Sequence, residues 1–418
     1  MTLRYELMRR LSTLSSASRL PLLTYYAYTA TTYASFTAAI WILFVRAQGL
    51  SFTEVGALNS IWWVALVVSE VPTGYVGDRL GRRNGMLLGT TIIALSTVGM
   101  GLSTTFPEFA VVYGTWAVGQ TFRSGSDDAW LYDLLGERSQ TGDFATIRGR
   151  ATAIGLAMGA VTAPLGGALA DIDFRLPFFA TAAVTALGIP ILLTVSEHGN
   201  REPEAEAETY TVATAVRVIR TQLARPPLRA FVLYFALLFG VLQMTYIFDQ
   251  PVAQVTALRL GVPESSSRTA VGLVYSGFTL VAALVSYNTG VIEERIGVAR
   301  WFTVVPVVVG VLFATLWVAP LLAVPVFFVA RAVNTASVTL GNQYVNDRVE
   351  SVGRATVLSA ASMVYSLAVI PFELAGGVAA DVADPTGALA VFGVVLLVGA
   401  GAVWVWERPV QRQREQSA

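Results

Sequence analysis

The chain has 418 residues, of which 54% are hydrophobic and 13% charged, and its formal net charge at pH 7 is zero. Soluble domains carry about 25% charged residues, so the composition excludes an ordinary soluble protein, and the balanced charge gives no indication of a nucleic-acid partner. The sequence has no cysteine, which excludes disulfides, thiolate chemistry and cysteine-ligated metals.

Twelve apolar stretches, a few with an interior charge, are long enough to cross a bilayer core of about 30 Å as helices. In chain order they lie at 24–45, 55–76, 86–105, 109–135, 151–170, 176–195, 230–252, 270–292, 301–318, 321–345, 355–379 and 386–406. The longest connection contains an apolar stripe of helical period, typical of an interfacial helix, at Val212, Val216, Ile219 and Leu223. We therefore expect an all-α membrane protein with an N-terminal bundle over 1–196, a cytoplasmic linker over 197–229 and a C-terminal bundle over 230–418.

The loop between the second and third spans combines a glycine turn with four charges. Its distinctive residues are Gly74, Asp78, Arg79, Gly81, Arg82 and Arg83. A shorter copy follows the eighth span, at Gly290, Glu294, Arg295 and Gly297. Two copies of one loop indicate a duplicated protein with two equivalent halves.

A second series of matching residues supports the duplication. Both the fifth and the eleventh span open on Gly-Arg-Ala-Thr, and each then has a proline, a glycine pair and an aspartate. In the fifth span the later residues are Pro164, Gly166, Gly167 and Asp171. In the eleventh they are Pro371, Gly376, Gly377 and Asp381.

The arginines predict the orientation. One set of loops holds only Arg46, Arg175, Arg259 and Arg268, whereas the other set and both termini hold most of the rest. Because arginine is enriched in cytoplasmic loops, we expect both termini and the Gly74–Arg83 loop to lie in the cytoplasm, in a multi-pass protein of the cell membrane.

The Gly74–Arg83 loop resembles the signature loop of the major facilitator superfamily of secondary transporters. The fifth span, through Gly155, Gly159, Pro164 and the following glycine pair, is similar to a motif of the superfamily's antiporters, including its multidrug/proton branches. The resemblance implies twelve helices in two pseudo-symmetric six-helix bundles, transport by alternating access, and a monomer.

Charges near the cytoplasmic helix ends suggest a latch between the halves. Arg150 and Arg354 open helices, where the macrodipole disfavours positive charge, so each should have an acidic partner. The pseudo-twofold relation supplies Glu294 for Arg150 and Asp78 for Arg354. Such pairs would hold the cytoplasmic side shut, or alternatively would only anchor topology.

Two further pairs follow from the resemblance. In the superfamily the first arginine of the Arg-Arg pair is held by an acid at the end of the fourth span, which implies that Arg82 pairs with Asp133. The equivalent acid in the second half is Asp347, whose available partners are Arg295 and Arg300.

The fourth span carries charges at membrane depth. Arg123 and Asp127 are four residues apart and are expected to pair along one helix face. Asp128 points about 100° away from Asp127, because successive helical residues differ by that angle. An acid there needs a partner, water or a proton, so Asp128 is our first candidate for proton coupling and Glu70 the second, with a purely structural pair as the alternative.

In the second half, Asp249, Arg331 and Glu373 are embedded, either as substrate contacts or as an interhelical ion pair. Polar side chains at helical spacing should line a wet central cavity. The candidates are Tyr25, Thr29, Thr32, Gln243, Tyr246, Gln250, Asn334 and Ser366. This aromatic, hydroxyl-rich lining suits a bulky, partly apolar solute more than a phosphate, although ordinary helix packing explains some positions.

No nucleotide-binding loop, metal-ligand cluster or nucleophile triad is recognisable in the sequence. We therefore expect a protein that is not an enzyme, needs no cofactor and draws energy from a proton or sodium gradient. The leading prediction is proton-coupled export of an amphipathic small molecule. The alternatives are symport of a nutrient or metabolite, and a sensor or lipid-handling protein that does not transport.

Overall fold

The computed structural model describes residues 16–136, 144–195, 217–226, 228–349 and 354–410. The α-helices of this part of the chain are α1 Ser16–Tyr33, α2 Trp41–Ala47, α3 Phe52–Leu80, α4 Arg82–Leu102, α5 Phe106–Gly136, α6 Phe144–Ile172, α7 Leu176–Leu193, α8 Leu228–Arg259, α9 Ser267–Ile296, α10 Val298–Thr315, α11 Ala323–Asn346, α12 Arg354–Val382 and α13 Pro385–Trp406. Ten of the described helices are long and apolar enough to cross a membrane. The predicted all-α membrane fold is confirmed.

Two further spans complete the set of twelve. The helix α5 is long enough to span, but Arg123, Asp127 and Asp128 lower its hydropathy. The first span is formed jointly by α1 and α2. In the linker, a helical turn occupies Ile219–Leu223, where Leu223 is buried, while Val212 and Val216 of the predicted stripe lie outside the described residues.

The first span is broken, so the prediction of one continuous helix over 24–45 was wrong. The helix α1 ends at Tyr33 and α2 begins at Trp41, with turns between them. Hydroxyls near the end of α1 bind its own carbonyls, since Thr31 donates to Tyr28 O at 2.7 Å and Thr32 to Thr29 O at 2.8 Å. Such local bonds compete with the helical ladder.

Side chains of neighbouring helices form hydrogen bonds with the backbone of this break. Phe36 N donates to Thr181 Oγ1 at 2.9 Å, and Ser35 O accepts from Thr162 Oγ1 at 3.2 Å. Irregular backbone at membrane depth is tolerated only where protein or water satisfies it. The break is therefore a built feature of the first half, held by α6 and α7.

The two halves repeat each other in three dimensions. The turns between α3 and α4 and between α9 and α10 are made by Gly81 and Gly297, whose φ angles are 83° and 77°. Other residues rarely adopt this left-handed backbone, so glycine is required at both places. Aligning Gly81 with Gly297 also brings Thr53 onto Thr269, near the starts of α3 and α9.

Side chains define where two of the helices begin. Ser51 and Glu54 form a capping box at the start of α3, with Ser51 N to Glu54 Oε2 at 2.7 Å. Asp384 caps α13 by accepting from Thr386 Oγ1 at 2.6 Å and from Gly387 N at 2.7 Å. The bonds from Thr386 and Gly387 hold the pKa of Asp384 below its usual range, so this cap is ionised at neutral pH.

Candidate functional site

The two halves meet at two helix crossings, one of α3 with α12 and one of α6 with α9. In the first crossing, Asp381 of α12 receives hydrogen bonds from Phe52 N and Thr53 N of α3, both at 2.8 Å. The hydroxyl of Thr53 donates to the same carboxylate at 2.7 Å. A carboxylate of one half therefore caps the N-terminus of a helix in the other.

The second crossing has the same design. Asp171 of α6 receives hydrogen bonds from Arg268 N at 3.2 Å and Thr269 N at 3.0 Å. The hydroxyl of Thr269 donates to it at 2.6 Å. Asp171 and Asp381 thus occupy equivalent positions, and we call the end of the bundle that holds them the closed end.

Glycines allow the backbones to touch at the closed end. A Cβ atom added at Gly167, Gly272, Gly56 or Gly377 would overlap a backbone carbonyl oxygen of the opposite half. The opposing carbonyls belong, in that order, to Arg268, Ala163, Glu373 and Phe52. A side chain at any of these positions would push the halves apart.

At the other end of the bundle, the described glycines make no such contact. Added Cβ atoms at Gly74, Gly77, Gly149 and Gly290 would meet nothing within 4 Å. We call this the open end, and it carries the turns at Gly81 and Gly297. Within the residues that the structure describes, the halves are therefore joined at one end and separated at the other.

A buried polar cluster lies on the half of α8 that leads to the closed end. Asp249, 1% exposed, lies 2.8 Å from Nη2 of Arg331 on α11 and accepts a hydrogen bond from the hydroxyl of Tyr275 on α9. The guanidinium of Arg331 lies over the ring of Tyr246, 3.7 Å from its centroid. Together with Gln250 these four residues form what we call the Asp249 cluster. Of the alternatives left open for Asp249 and Arg331, the structure shows an interhelical ion pair.

Gln250 connects this cluster to the broken first span. Its fully buried amide donates to Ala38 O at 3.0 Å and to Tyr275 Oη at 3.1 Å, and accepts from Ile42 N at 2.9 Å. Because Ala38 and Ile42 flank the start of α2, one side chain of the second half holds the break of the first.

The other predicted cavity residues divide between the halves. Gln243 accepts from Nδ2 of Asn334 at 3.3 Å, and Ser366 is half-buried on α12. In the first half the predicted residues form a packed face of α1 instead. Tyr25 and Thr29 are buried, the ring of Tyr25 packs on Trp130, and the half-buried Thr32 binds the backbone of its own helix.

The charges of the fourth span are arranged differently from the prediction. Asp127 lies 3.4 Å from Nη1 of Arg148 on α6, whereas the sequence spacing predicted Arg123 of its own helix as the partner. The same Arg148 donates to Tyr25 Oη at 3.1 Å. Glu70 is exposed on α3, and the side chain of Asp128 lies outside the described part of the structure.

The predicted latch stays a prediction. The side chains of Asp78, Asp133 and Arg354 lie outside the described part, while Arg150, Glu294 and Asp347 are exposed. No ion pair of the described residues joins Glu294 to Arg150. This agrees with the separation of the halves at the open end, where the latch would close in the opposite state.

Sequence reasoning missed several site residues. Tyr275 carries no charge and stands in an apolar helix, so its contact with Asp249 had no local signal. Thr53 and Thr269 could have been found, since each begins a helix opposite an aspartate once the halves are aligned. The two prolines of the repeat are not equivalent. When the aspartates and the glycine pairs are matched, Pro164 corresponds to Leu374 and not to Pro371.

A family model described as Major Facilitator Superfamily matches residues 22–265. A Haemophilus influenzae protein named as a metabolite transport protein is 25% identical over 270 residues, which cover 57% of this chain and 58% of that protein. Multidrug resistance protein 2 of Bacillus subtilis is 21% identical over 214 residues, covering 49% and 51%. The chain thus aligns with about half the length of these curated relatives.

Solved structures share the architecture over nearly the whole chain. The nucleoside transporter NupG, as its D323A mutant, superposes with a TM-score of 0.78 at 16% identity, covering 92% of this chain and 98% of that one. A bacterial homologue of the lysosomal transporter Spinster, in an inward-facing conformation, gives 0.72 at 16% identity, with 95% and 98% covered. At these identities the likeness establishes the fold alone.

Proposed function

The chain belongs to the Major Facilitator Superfamily, and we propose that it exports amphipathic small molecules in exchange for protons. Membership supports a multi-pass secondary transporter. The exchange mechanism and the cargo are our proposal, and they rest on the two helix crossings and the Asp249 cluster.

One observation carries the proposal: the halves touch at the closed end and separate at the open end. Alternating access requires a second state in which these roles reverse around a site near the midplane. The closed-end contacts suit such a reversal, because the two helix crossings are made by capping carboxylates and by small-residue surfaces. Breaking them exposes polar groups that water can satisfy.

The arginine distribution supports an assignment of sides. The open end carries Arg79 at the end of α3, Arg82 and Arg83 at the start of α4 and Arg295 at the end of α9. The closed end carries Arg46, Arg175, Arg259 and Arg268. The positive-inside rule supports placing the open end in the cytoplasm, and with that placement we propose that this is an inward-open state.

The Asp249 cluster supports an amphipathic cargo. Its carboxylate and guanidinium neutralise each other, the side chains of Tyr275 and Tyr246 contact them, and the amide of Gln250 binds Tyr275. A phosphate would call for converging cationic groups, and Arg331 is already occupied by Asp249. A solute with an apolar body and a few hydrogen-bonding groups matches the chemistry of this cluster, and the similarity to a multidrug resistance protein favours export.

A second candidate function is uptake of a metabolite together with protons. The observation in its favour is the 25% identity to a protein named for metabolite transport. Both functions use the same fold and the same site, and they differ in the direction of the solute relative to the proton.

The test is transport by purified protein in liposomes with an imposed pH gradient and an internal pH dye. The panel should contain lipophilic cations, neutral amphipathic drugs, nucleosides and other metabolites. We expect at least one amphipathic solute to move against protons, and expect this movement to be lost in Asp249→Asn, while Glu264→Gln, an exposed change, serves as the control. Movement with protons would replace export by symport, and no coupled movement across the panel would contradict the proposal.

A further inference from the structure

The crossing of α3 with α12 buries a carboxyl group that does not belong to the Asp249 cluster. Glu373 lies on α12, about two turns before Asp381, and is only 3% exposed. The backbone of Gly56 on α3 packs against its carbonyl oxygen. The carboxyl therefore sits where the two halves are in backbone contact.

Among the described residues, this carboxyl has no cationic partner. Within the part of the chain that the structure describes, no ion pair includes Glu373. Its Oε1 accepts from Nδ2 of Asn59 at 3.4 Å, and its Oε2 is buried without a hydrogen bond. The indole of Trp63 is the other polar group beside it. An ionised carboxylate needs several donors or a cation, and neither neighbour supplies a charge.

Charged groups on the helices packed against α12 are bound elsewhere. Glu54 of α3 caps its own helix, Asp249 of α8 binds Arg331, and Glu407 beyond α13 binds Arg229. Asp381, on α12 itself, binds the backbone of α3. The other titratable side chains are Glu70, Tyr75, Asp78 and Arg79 on α3, Tyr234, Tyr246 and Arg259 on α8, and Arg354 and Tyr365 on α12. Arg79 and Arg259 are exposed at helix ends, and Arg354 begins α12 nineteen residues before Glu373. The remaining groups are acids or tyrosines and carry no positive charge, so within the described residues none neutralises Glu373.

The second crossing provides an internal comparison. Aligned on Asp171 and Asp381 and on the paired glycines, Glu373 corresponds to Ala163. The contacts are equivalent, since Gly272 packs on the carbonyl of Ala163 as Gly56 packs on that of Glu373. The same backbone arrangement thus forms with an alanine in the α6–α9 crossing and with a glutamate in the α3–α12 crossing. Packing alone does not require the carboxyl.

We propose that Glu373 is a proton-binding site that links closure of the closed end to the uptake of one proton. When α3 and α12 part, the side chain meets water and ionises. When they meet again, it must carry a proton, because the crossing offers no counter-charge. This inference rests on the proposed function, in which the closed end opens during transport, and it names the group that would sense the proton.

Proton linkage gives a quantitative expectation. If only the protonated form fits the closed crossing, the closed-to-open ratio of this end falls by up to about tenfold per pH unit above the pH at which the exposed carboxyl ionises. A glutamine at position 373 has nearly the same shape and no ionisation, so it should remove this dependence.

The experiment measures the width of the closed end directly. The chain has no cysteine, so Ile172→Cys and Val382→Cys introduce the only two labelling sites, and both positions are highly exposed, at 78% and 84%. They follow Asp171 and Asp381 in the two halves. Distances between spin labels would be recorded in lipid vesicles across about four pH units, without any substrate.

Four proteins should be compared: the labelled parent, Glu373→Gln, Glu373→Ala and the control Glu264→Gln, an exposed change at the same end. In the parent and the control we expect the short-distance population to grow as the pH falls. In both Glu373 variants we expect a short-distance population that does not respond to pH. A pH response that survives in Glu373→Gln, or a parent without any response, would overturn the proposal.

Failure of this proposal is distinguishable from failure of the proposed function. If transport is proton-coupled but the closed end does not respond to pH through Glu373, the proton site is contradicted and the proposed function is supported. If the closed end responds to pH through Glu373 but the protein moves no solute, the proposed function is contradicted and the proton site is supported.

Discussion

At the scale of single residues, Asp249 and Arg331 form an ion pair inside the second half. Both groups are buried, so removing one leaves an uncompensated charge in the bundle. The pair is also bound to Gln250 through Tyr275, which makes it part of the support for the broken first span. Loss of this ion pair should therefore destabilise both halves.

Replacing Arg331 by methionine should destabilise the protein by about 3–5 kcal/mol, because Asp249 is left buried without a cation. Asp249→Asn combined with Arg331→Met should recover much of that loss, since no buried charge remains. Thermal denaturation of the detergent-purified variants measures both effects.

A matched control is the pair of Arg229 and Glu407, whose side chains are 39% and 20% exposed. Solvent screens such pairs, so Arg229→Met should change stability by less than about 1 kcal/mol. If the double variant at Asp249 and Arg331 were as unstable as the sum of the single ones, the two charges would not be coupled as the structure indicates.

The sequence identified these charged residues but not all of their partners. Hydropathy alone marks Asp249, Arg331 and Glu373 as embedded, because a charge in an apolar run stands out. Partners come from other helices, and helical spacing describes only neighbours on one helix. This is why Asp127 was assigned to Arg123, whereas Arg148 of α6 reaches it.

At the scale of elements, the closed end depends on four glycines that let helices of opposite halves touch. Overpacked contacts are destabilising because neither backbone can move without separating the helices. Overpacking at these glycines destabilises only the state in which the closed end is shut. A larger residue there should therefore change the ratio of the two states more than it changes the free energy of unfolding.

Gly272→Ala should raise the free energy of the closed crossing by about 1–3 kcal/mol, because its Cβ would overlap the carbonyl of Ala163. We expect the distance between labels at positions 172 and 382 to shift toward longer values. Gly401→Ala on α13 is the control, since a Cβ there meets nothing within 4 Å. An unchanged distance distribution in Gly272→Ala would show that the crossing is not closely packed.

The elements themselves were largely predictable, with one informative exception. Long apolar runs with glycine-bounded turns gave the spans, because length and hydropathy suffice to define a membrane helix. The break at 34–40 was not predicted because its residues are small or apolar and leave the mean hydropathy high. Its local signal, the hydroxyls of Thr31, Thr32 and Ser35, becomes meaningful only with Gln250 placed beside it.

At the scale of the whole molecule, two equivalent crossings of the same design hold one end shut while the other stands open. The internal repeats predicted the two halves, and the arginines predicted which end faces the cytoplasm. Which end is shut is not encoded in a local pattern, because the same sequence must support both states of a transport cycle. The asymmetry between Glu373 and Ala163 is one place where the halves differ.

The most direct test is to measure both ends of the same molecule. Labels at 172 and 382 report the closed end, and labels at Leu80→Cys and Ile296→Cys, which precede the two equivalent glycine turns, report the open end. Recorded in lipid vesicles across pH, the two label pairs should each show two distances whose weights change in opposite directions. A single distance at each end, unaffected by pH and by Gly272→Ala, would contradict the account of a two-state transporter.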